Sequence, residues 1–121
     1  MTEVSAIARL SIHTGKLEEF KQLAARCVHS VRTRDSGTLQ YDYFFNDDQS
    51  ECVVIERYRD VAALRDHLAN IGQDLMQALL GVCSMSGDIF TTPTPELRQM
   101  TAGFDIRLYA PFEPMQPESV P

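Results

Sequence analysis

Glu56-Arg57-Tyr58-Arg59-Asp60-Val61-Ala62-Ala63-Leu64-Arg65-Asp66-His67 carries the chain from a strand directly into a helix. Just before it, Cys52, Val54, Glu56 and Tyr58 alternate with Val53, Ile55 and Arg57, the two-residue period of a strand. Asp60 stands where a helix needs its N-cap, with a side chain able to accept from the first free backbone N–H groups. Leu64, His67, Leu68, Ile71, Leu75 and Leu79 follow at spacings of three and four. The spacing predicts one helix from Val61 to about Leu80, with Gly72 a mild weakness inside it. His67 is thereby placed on the apolar side of that helix.

Outward from this stretch the pattern repeats. Val4 to Ile12 alternates as a strand, and His13-Thr14-Gly15 breaks it. A helix is predicted from about Lys16 to Arg34, with Glu18 and Glu19 in its first turn, where negative charge is favoured. Leu17, Phe20, Leu23, Ala24, Cys27 and Val31 form its apolar stripe. Asp35-Ser36-Gly37 is a turn. Leu39, Tyr41, Tyr43 and Phe45 then share one face of a second strand, and Asn46 to Ser50 is a hairpin loop into the third. Val82 to Thr92 reads as a fourth strand, with Gly87 a candidate bulge. Thr94-Pro95-Glu96-Leu97 supplies a cap and a proline at the first position of a short helix. Phe104 to Tyr109 alternates as a short fifth strand. Residues 111–121 hold four prolines and little to bury, so a flexible tail is expected.

This βαββαβ order predicts an α+β, ferredoxin-like domain over residues 1–92, with an antiparallel sheet whose one face is covered by two helices. A helix-and-strand extension occupies 93–110. Both faces of the strands carry apolar residues, with Val53, Ile55 and Phe44 opposite Val54, Tyr58 and Tyr43. Helices can cover only one face, so a sheet-to-sheet homodimer is expected. The extension has no vacant place in the four-stranded core, and its strand is expected at a sheet edge, the partner's.

Composition narrows the function. A chain of 121 residues that is 44% hydrophobic can build one core. Its net charge of −6 and scattered basic residues argue against nucleic acid or an anionic membrane as a partner. No apolar run approaches the ~20 residues that span a bilayer, and the start lacks signal-peptide character, so a cytoplasmic protein is expected. Cys27, Cys52 and Cys83 are odd in number and lack metal-site spacing, so they read as buried small hydrophobes. His13 and His29 read as surface residues, and no metal site is expected.

Gly15-Lys16-Leu17-Glu18-Glu19-Phe20, Gly37-Thr38-Leu39-Gln40-Tyr41 and the Glu56-to-His67 stretch, in this order and spacing, resemble the antibiotic biosynthesis monooxygenase-like family, which includes quinol monooxygenases. The resemblance covers about residues 4–92. It implies a dimeric α/β barrel, a pocket in each chain between sheet and helices, and, for some members, oxygenation of dihydroxyaromatic or anthrone-like compounds without a cofactor. Polyketide-modifying and haem-degrading relatives lean on a pocket Trp and Asn. This chain contains no Trp, and its first strand contains no Asn.

His67 is the candidate catalytic base, since a neutral imidazole on a partly desolvated face accepts a proton near neutral pH. The alternative is a core-edge histidine bonded to a backbone carbonyl. Tyr41, Tyr43, Phe45, Tyr58, Phe20 and Leu64 are the candidate substrate-binding residues, because aromatic rings with a polar tip suit a flat phenolic ligand. Taken singly, each reads as ordinary packing; it is their clustering beside Phe20 and His67 that points to a pocket. Glu56 shares the face of Tyr58 and could orient a partner or pair with an arginine. Met76, Met85 and Met100 read as gap-filling core. Two functions follow: a cofactor-independent monooxygenase on a small electron-rich aromatic such as a quinol, or a non-catalytic dimeric small-molecule-binding or stress-associated module of the same fold.

Overall fold

Alternation from Val4 to Ile12 makes β1 (Val4–Ile12) the central strand of the sheet in the computed structural model, which describes residues 2–113 and 115. It is followed by α1 (Leu17–Arg34), β2 (Thr38–Phe45), β3 (Glu51–Tyr58), α2 (Val61–Ile71), α3 (Gln73–Leu80), β4 (Cys83–Phe90), α4 (Pro95–Thr101) and β5 (Ile106–Tyr109). The sheet order is β2-β3-β1-β4-β5, so the βαββαβ core has the ferredoxin-like arrangement expected of it. Two corrections to the sequence reading have plain causes. Gly72 takes φ 83°, a conformation that ends α2 and divides the expected single helix into α2 and α3. Gly87 is no bulge: it pairs in regular register with Ala8 and with Ile106.

The extension also differs from expectation. β5 runs parallel to β4 of its own chain, covering that edge, rather than joining a partner's sheet. A place exists there because α4 makes the crossover from β4. Thr94 caps α4 by accepting from Leu97 N–H at 3.1 Å, with Pro95 in its first turn, and the fully buried Leu97 anchors it under the sheet cluster of Val4, Ala6, Tyr58 and Leu64. The expected flexible tail lies for the most part outside the described residues. Among the described residues no helix is long and apolar enough to cross a membrane.

α1 packs its buried stripe, Phe20, Leu23, Ala24 and Cys27, against Leu10, Cys52 and Val54 on one sheet face. Each large side chain so buried stabilises the fold by about 1.5–3 kcal/mol. The approach of α2 is set by a glycine. A Cβ on Gly37 would lie 2.5 Å from the Ala63 Cβ, so only glycine lets the α1–β2 turn meet the first turn of α2. Arg59 N–H donates to the Gly37 carbonyl at 2.9 Å, and Asp60 caps α2 by accepting from Ala63 N–H at 2.8 Å, as its position predicts. This junction brings the end of α1 alongside His67.

Candidate active site

Two rows of residues cross the sheet on its helix-facing side. Tyr41, Glu56, Ala6 and Ile89 are paired in register across β2, β3, β1 and β4; Tyr43, Val54, Ala8, Gly87 and Ile106 form the adjacent row. All nine line one cavity of about 670 Å³. The space exists because the middle of each row is small, with Ala6, Ala8 and Gly87 leaving a low floor. Leu64, His67, Leu68 and Met76 from α2 and α3 form the opposite wall, and Met100, Phe104 and Ile106 bring the C-terminal extension to it. A volume of this size accommodates a ligand well beyond a single ring.

His67 is buried, and its Nδ1 lies 2.8 Å from Asp35 Oδ2. Asp35 is the C-cap of α1, and its side chain is 3% exposed. Thr38 Oγ1 donates to Oδ2 at 2.6 Å, and Asn70 Nδ2 donates to Oδ1 at 2.9 Å. Asn70 is itself held, since Ser30 Oγ donates to its carbonyl at 3.1 Å. Burial works against the charge on Asp35, but the hydrogen bonds from Thr38, Asn70 and His67 outweigh it and hold its pKa below the ordinary 3.8. A carboxylate at Nδ1 selects the Nδ1–H tautomer and leaves Nε2 with its lone pair. No hydrogen bond among the described residues engages Nε2, and His67 lines the cavity. Chemically, an imidazole so oriented is able to accept a proton from a group in the cavity.

The rings of Tyr41 and Tyr58 each lie 5.1 Å from the imidazole, tilted by 58° and 49°. Tyr58 donates its hydroxyl to Glu56 Oε1, and the Tyr41 and Tyr43 hydroxyls are 2.8 Å apart. Burial pushes all three phenols far above their ordinary pKa, so they act as neutral hydrogen-bonding groups. Burial likewise raises Glu56 above its ordinary 4.5, against the pull of Tyr58 and His67. The buried thiols of Cys27 and Cys52 are raised in the same way, and Cys83 is pushed up to about 11, which fits structural rather than reactive cysteines.

Of the residues singled out from sequence, His67, Tyr41, Tyr43 and Leu64 line the cavity. Phe20 and Phe45 do not: they meet each other edge to face at 6.0 Å, with Phe20 wholly buried against α1's core. Tyr58 is also fully buried and stands behind the wall, against His67 and Glu56. Met76, Met85 and Met100, read as core, all reach the cavity. His13 and His29 are exposed. Among the described residues no trio of His, Cys, Asp or Glu is placed to hold a metal ion. Sequence reading missed Asp35, Thr38 and Asn70. Asn70 had a signal, being three residues beyond His67 on the same helix face; Asp35 is 32 residues from His67 and looked like any turn residue.

A family model described as antibiotic biosynthesis monooxygenase matches residues 3–78. Among solved structures, MupZ from Pseudomonas fluorescens superimposes with TM-score 0.78 at 23% identity, over 98% of this chain and 97% of that one, so its likeness includes α4 and β5. SnoaB, a cofactor-independent oxygenase from Streptomyces nogalater, superimposes with TM-score 0.66 at 23% identity, over 78% and 96% of the two chains. Rv0793 from Mycobacterium tuberculosis gives TM-score 0.60 at 21% identity, over 70% and 91%. At these identities the likeness is one of fold. No curated protein matches the sequence significantly.

Proposed function

Because this chain belongs to the antibiotic biosynthesis monooxygenase family, we propose that it is a cofactor-independent monooxygenase acting on an electron-rich aromatic such as a quinol. The observation that carries the reading is the Asp35–His67 pair on the wall of a largely apolar cavity. His67 Nε2 takes a phenolic proton, and Asp35 stabilises the resulting imidazolium. The phenolate then passes an electron to O₂ directly, and the two radicals join at a ring carbon. A quinol and O₂ thereby give a hydroxyquinone and water, with all electrons supplied by the ring. The protein's share is to hold the anion in a dry cavity and to manage protons. Tyr41 donates to the substrate oxygen in this reading while accepting from Tyr43, a role supported by its position on the cavity wall and by the commitment of the Tyr58 hydroxyl to Glu56.

The fold likeness to SnoaB, described as a cofactor-independent oxygenase, supports this chemistry. The working form is a homodimer joined through the outer sheet face. Three free thiols fit a reducing compartment, the cytoplasm.

Oxygen uptake with a panel of substituted hydroquinones tests the reading. His67→Ala should lower turnover by about 10²–10⁴-fold, the usual share of a general base. His67→Gln retains hydrogen bonding but not basicity and should be as impaired. Full activity in His67→Gln would make the histidine a structural group. No uptake by the parent with any quinol would leave the non-catalytic binding module as the reading.

A further inference from the structure

Glu56 lines the cavity and has no part in the deprotonation step. It lies in the floor row between Tyr41 and Ala6, and its Oε1 accepts the Tyr58 hydroxyl. That leaves Oε2 as the oxygen able to carry a proton towards the cavity. The titratable groups around it are Tyr58 on its own strand, Tyr41 and Tyr43 from β2, Cys27 from α1 and His67 from α2, with Asp35 farther off beyond His67 and Tyr58. β1 opposes it with Ala6, and Asp88 of β4, farther along the cavity, is paired with Arg9 at 2.7 Å. Among the described residues no lysine or arginine lines the cavity. Burial in this largely apolar pocket favours the neutral acid, and it outweighs the Tyr58 hydroxyl and the His67 imidazole, both of which favour the carboxylate.

We propose that Glu56 is a second proton-transfer residue of this site, a neutral carboxylic acid whose Oε2–H protonates the distal oxygen of a substrate-bound peroxide. The proposal rests on the oxygenase reading. Once O₂ has joined the ring carbon, His67 returns the phenolic proton to the peroxide. Glu56 then protonates the distal oxygen, the O–O bond breaks with its electron pair going to that oxygen, and water leaves. The ring C–H electron pair becomes the π bond of the new carbonyl, and the released proton restores Glu56. His67 and Glu56 thus divide base and acid roles between two sides of one cavity.

Two measurements test this. Infrared spectra of protein carrying carbon-13 glutamate should show, at neutral pH, the isotope-shifted carbonyl stretch of a protonated glutamic acid, lost in Glu56→Gln. Exposed glutamates are ionised there and contribute none. In quinol oxidation, Glu56→Gln keeps an acceptor for Tyr58 but has no acid proton. It should continue to consume O₂ while hydrogen peroxide released per O₂ rises from near zero towards one and hydroxyquinone falls by ~10²-fold or more. Absence of the infrared band, or coupled turnover unchanged in Glu56→Gln, would overturn the assignment. A parent that oxidises no quinol removes the oxygenase reading, and with it the peroxide step, while the band still reports separately whether Glu56 is a neutral acid.

Discussion

Asp35 and His67 meet at 2.8 Å although they leave the chain at opposite ends of a helix–hairpin–helix path, one capping α1 and the other midway along α2. The pair fixes the ring of a helix-face histidine, and in the proposed oxygenase reading that histidine is the base. Asp35→Asn should destabilise the protein by roughly 1–3 kcal/mol, because the buried donors on Thr38, Asn70 and His67 lose their charged acceptor. The pH dependence has a definite sign. The pKa of Asp35 is held below 3.8, so its contribution is complete above that value and is lost as pH falls through the lowered pKa. Urea unfolding should show a gap between parent and variant at neutral pH that closes in strong acid. An equal gap at all pH values would assign the loss to packing instead.

Gly37 is what allows that meeting. An alanine there would put its Cβ 2.5 Å from the Ala63 Cβ, at the first turn of α2. Gly37→Ala should cost about 1–3 kcal/mol, as overpacking does, and should reduce turnover by displacing His67 from Asp35. Adding Ala63→Gly removes the opposing methyl and should restore most of both losses. Failure of the second change to rescue would place the effect in the backbone of the turn.

Strand and helix order were legible in the sequence because each element has its own period and its own cap. Asp60 and Thr94 announced two helix starts correctly. Gly72 was visible, but whether a glycine bends or ends a helix depends on the backbone angle it adopts, which local spacing does not encode. The side of α2 bearing His67 was also legible. Its partner was not, since Asp35 is joined to it only by the tertiary approach that Gly37 permits. The aromatic candidates divided for a similar reason. Tyr41 and Phe45 share a strand face, yet register places Phe45 over α1's Phe20 and Tyr41 over the cavity.

Glu56 predicts a second pH dependence, opposite in sign to that of Asp35. Its pKa is raised above 4.5 by burial, so the folded state holds a proton that the unfolded state has lost. Stability should therefore decline as pH rises above 4.5 until the raised pKa is passed. Glu56→Gln removes the titration, and its stability should fall less over that range. Parallel profiles for parent and variant would contradict the shift.

On the outer face of the sheet, Ile7 and Ile55 are directly paired, Val53 pairs with the half-exposed Phe44, and Phe90 stacks on Tyr109 at 5.6 Å. Among the described residues no element covers this face. A sheet-to-sheet homodimer would bury it, with an interface exceeding roughly 2,000 Å² if the pair is obligate. Sedimentation should give twice the chain mass at micromolar concentration, and Ile55→Lys should yield monomer. A monomeric parent would defeat the assembly.

The cavity floor offers a test that leaves the acid–base groups untouched. Ala8 lies in the row between Val54 and Gly87, and its small side chain helps keep the space open. Ala8→Leu adds three carbons directed into existing volume rather than into packed core, so they gain contacts without displacing neighbours. Stability should hold or rise slightly, in contrast to the loss usual when a core position is enlarged. Turnover should fall because the ring no longer seats against His67, and the loss should be steeper for bulky quinols than for unsubstituted hydroquinone. That size dependence is the deciding measurement. A variant that stays folded and oxidises large and small quinols at the parent's rates would show that the substrate binds elsewhere, and the site built around His67 and Asp35 would lose its ligand.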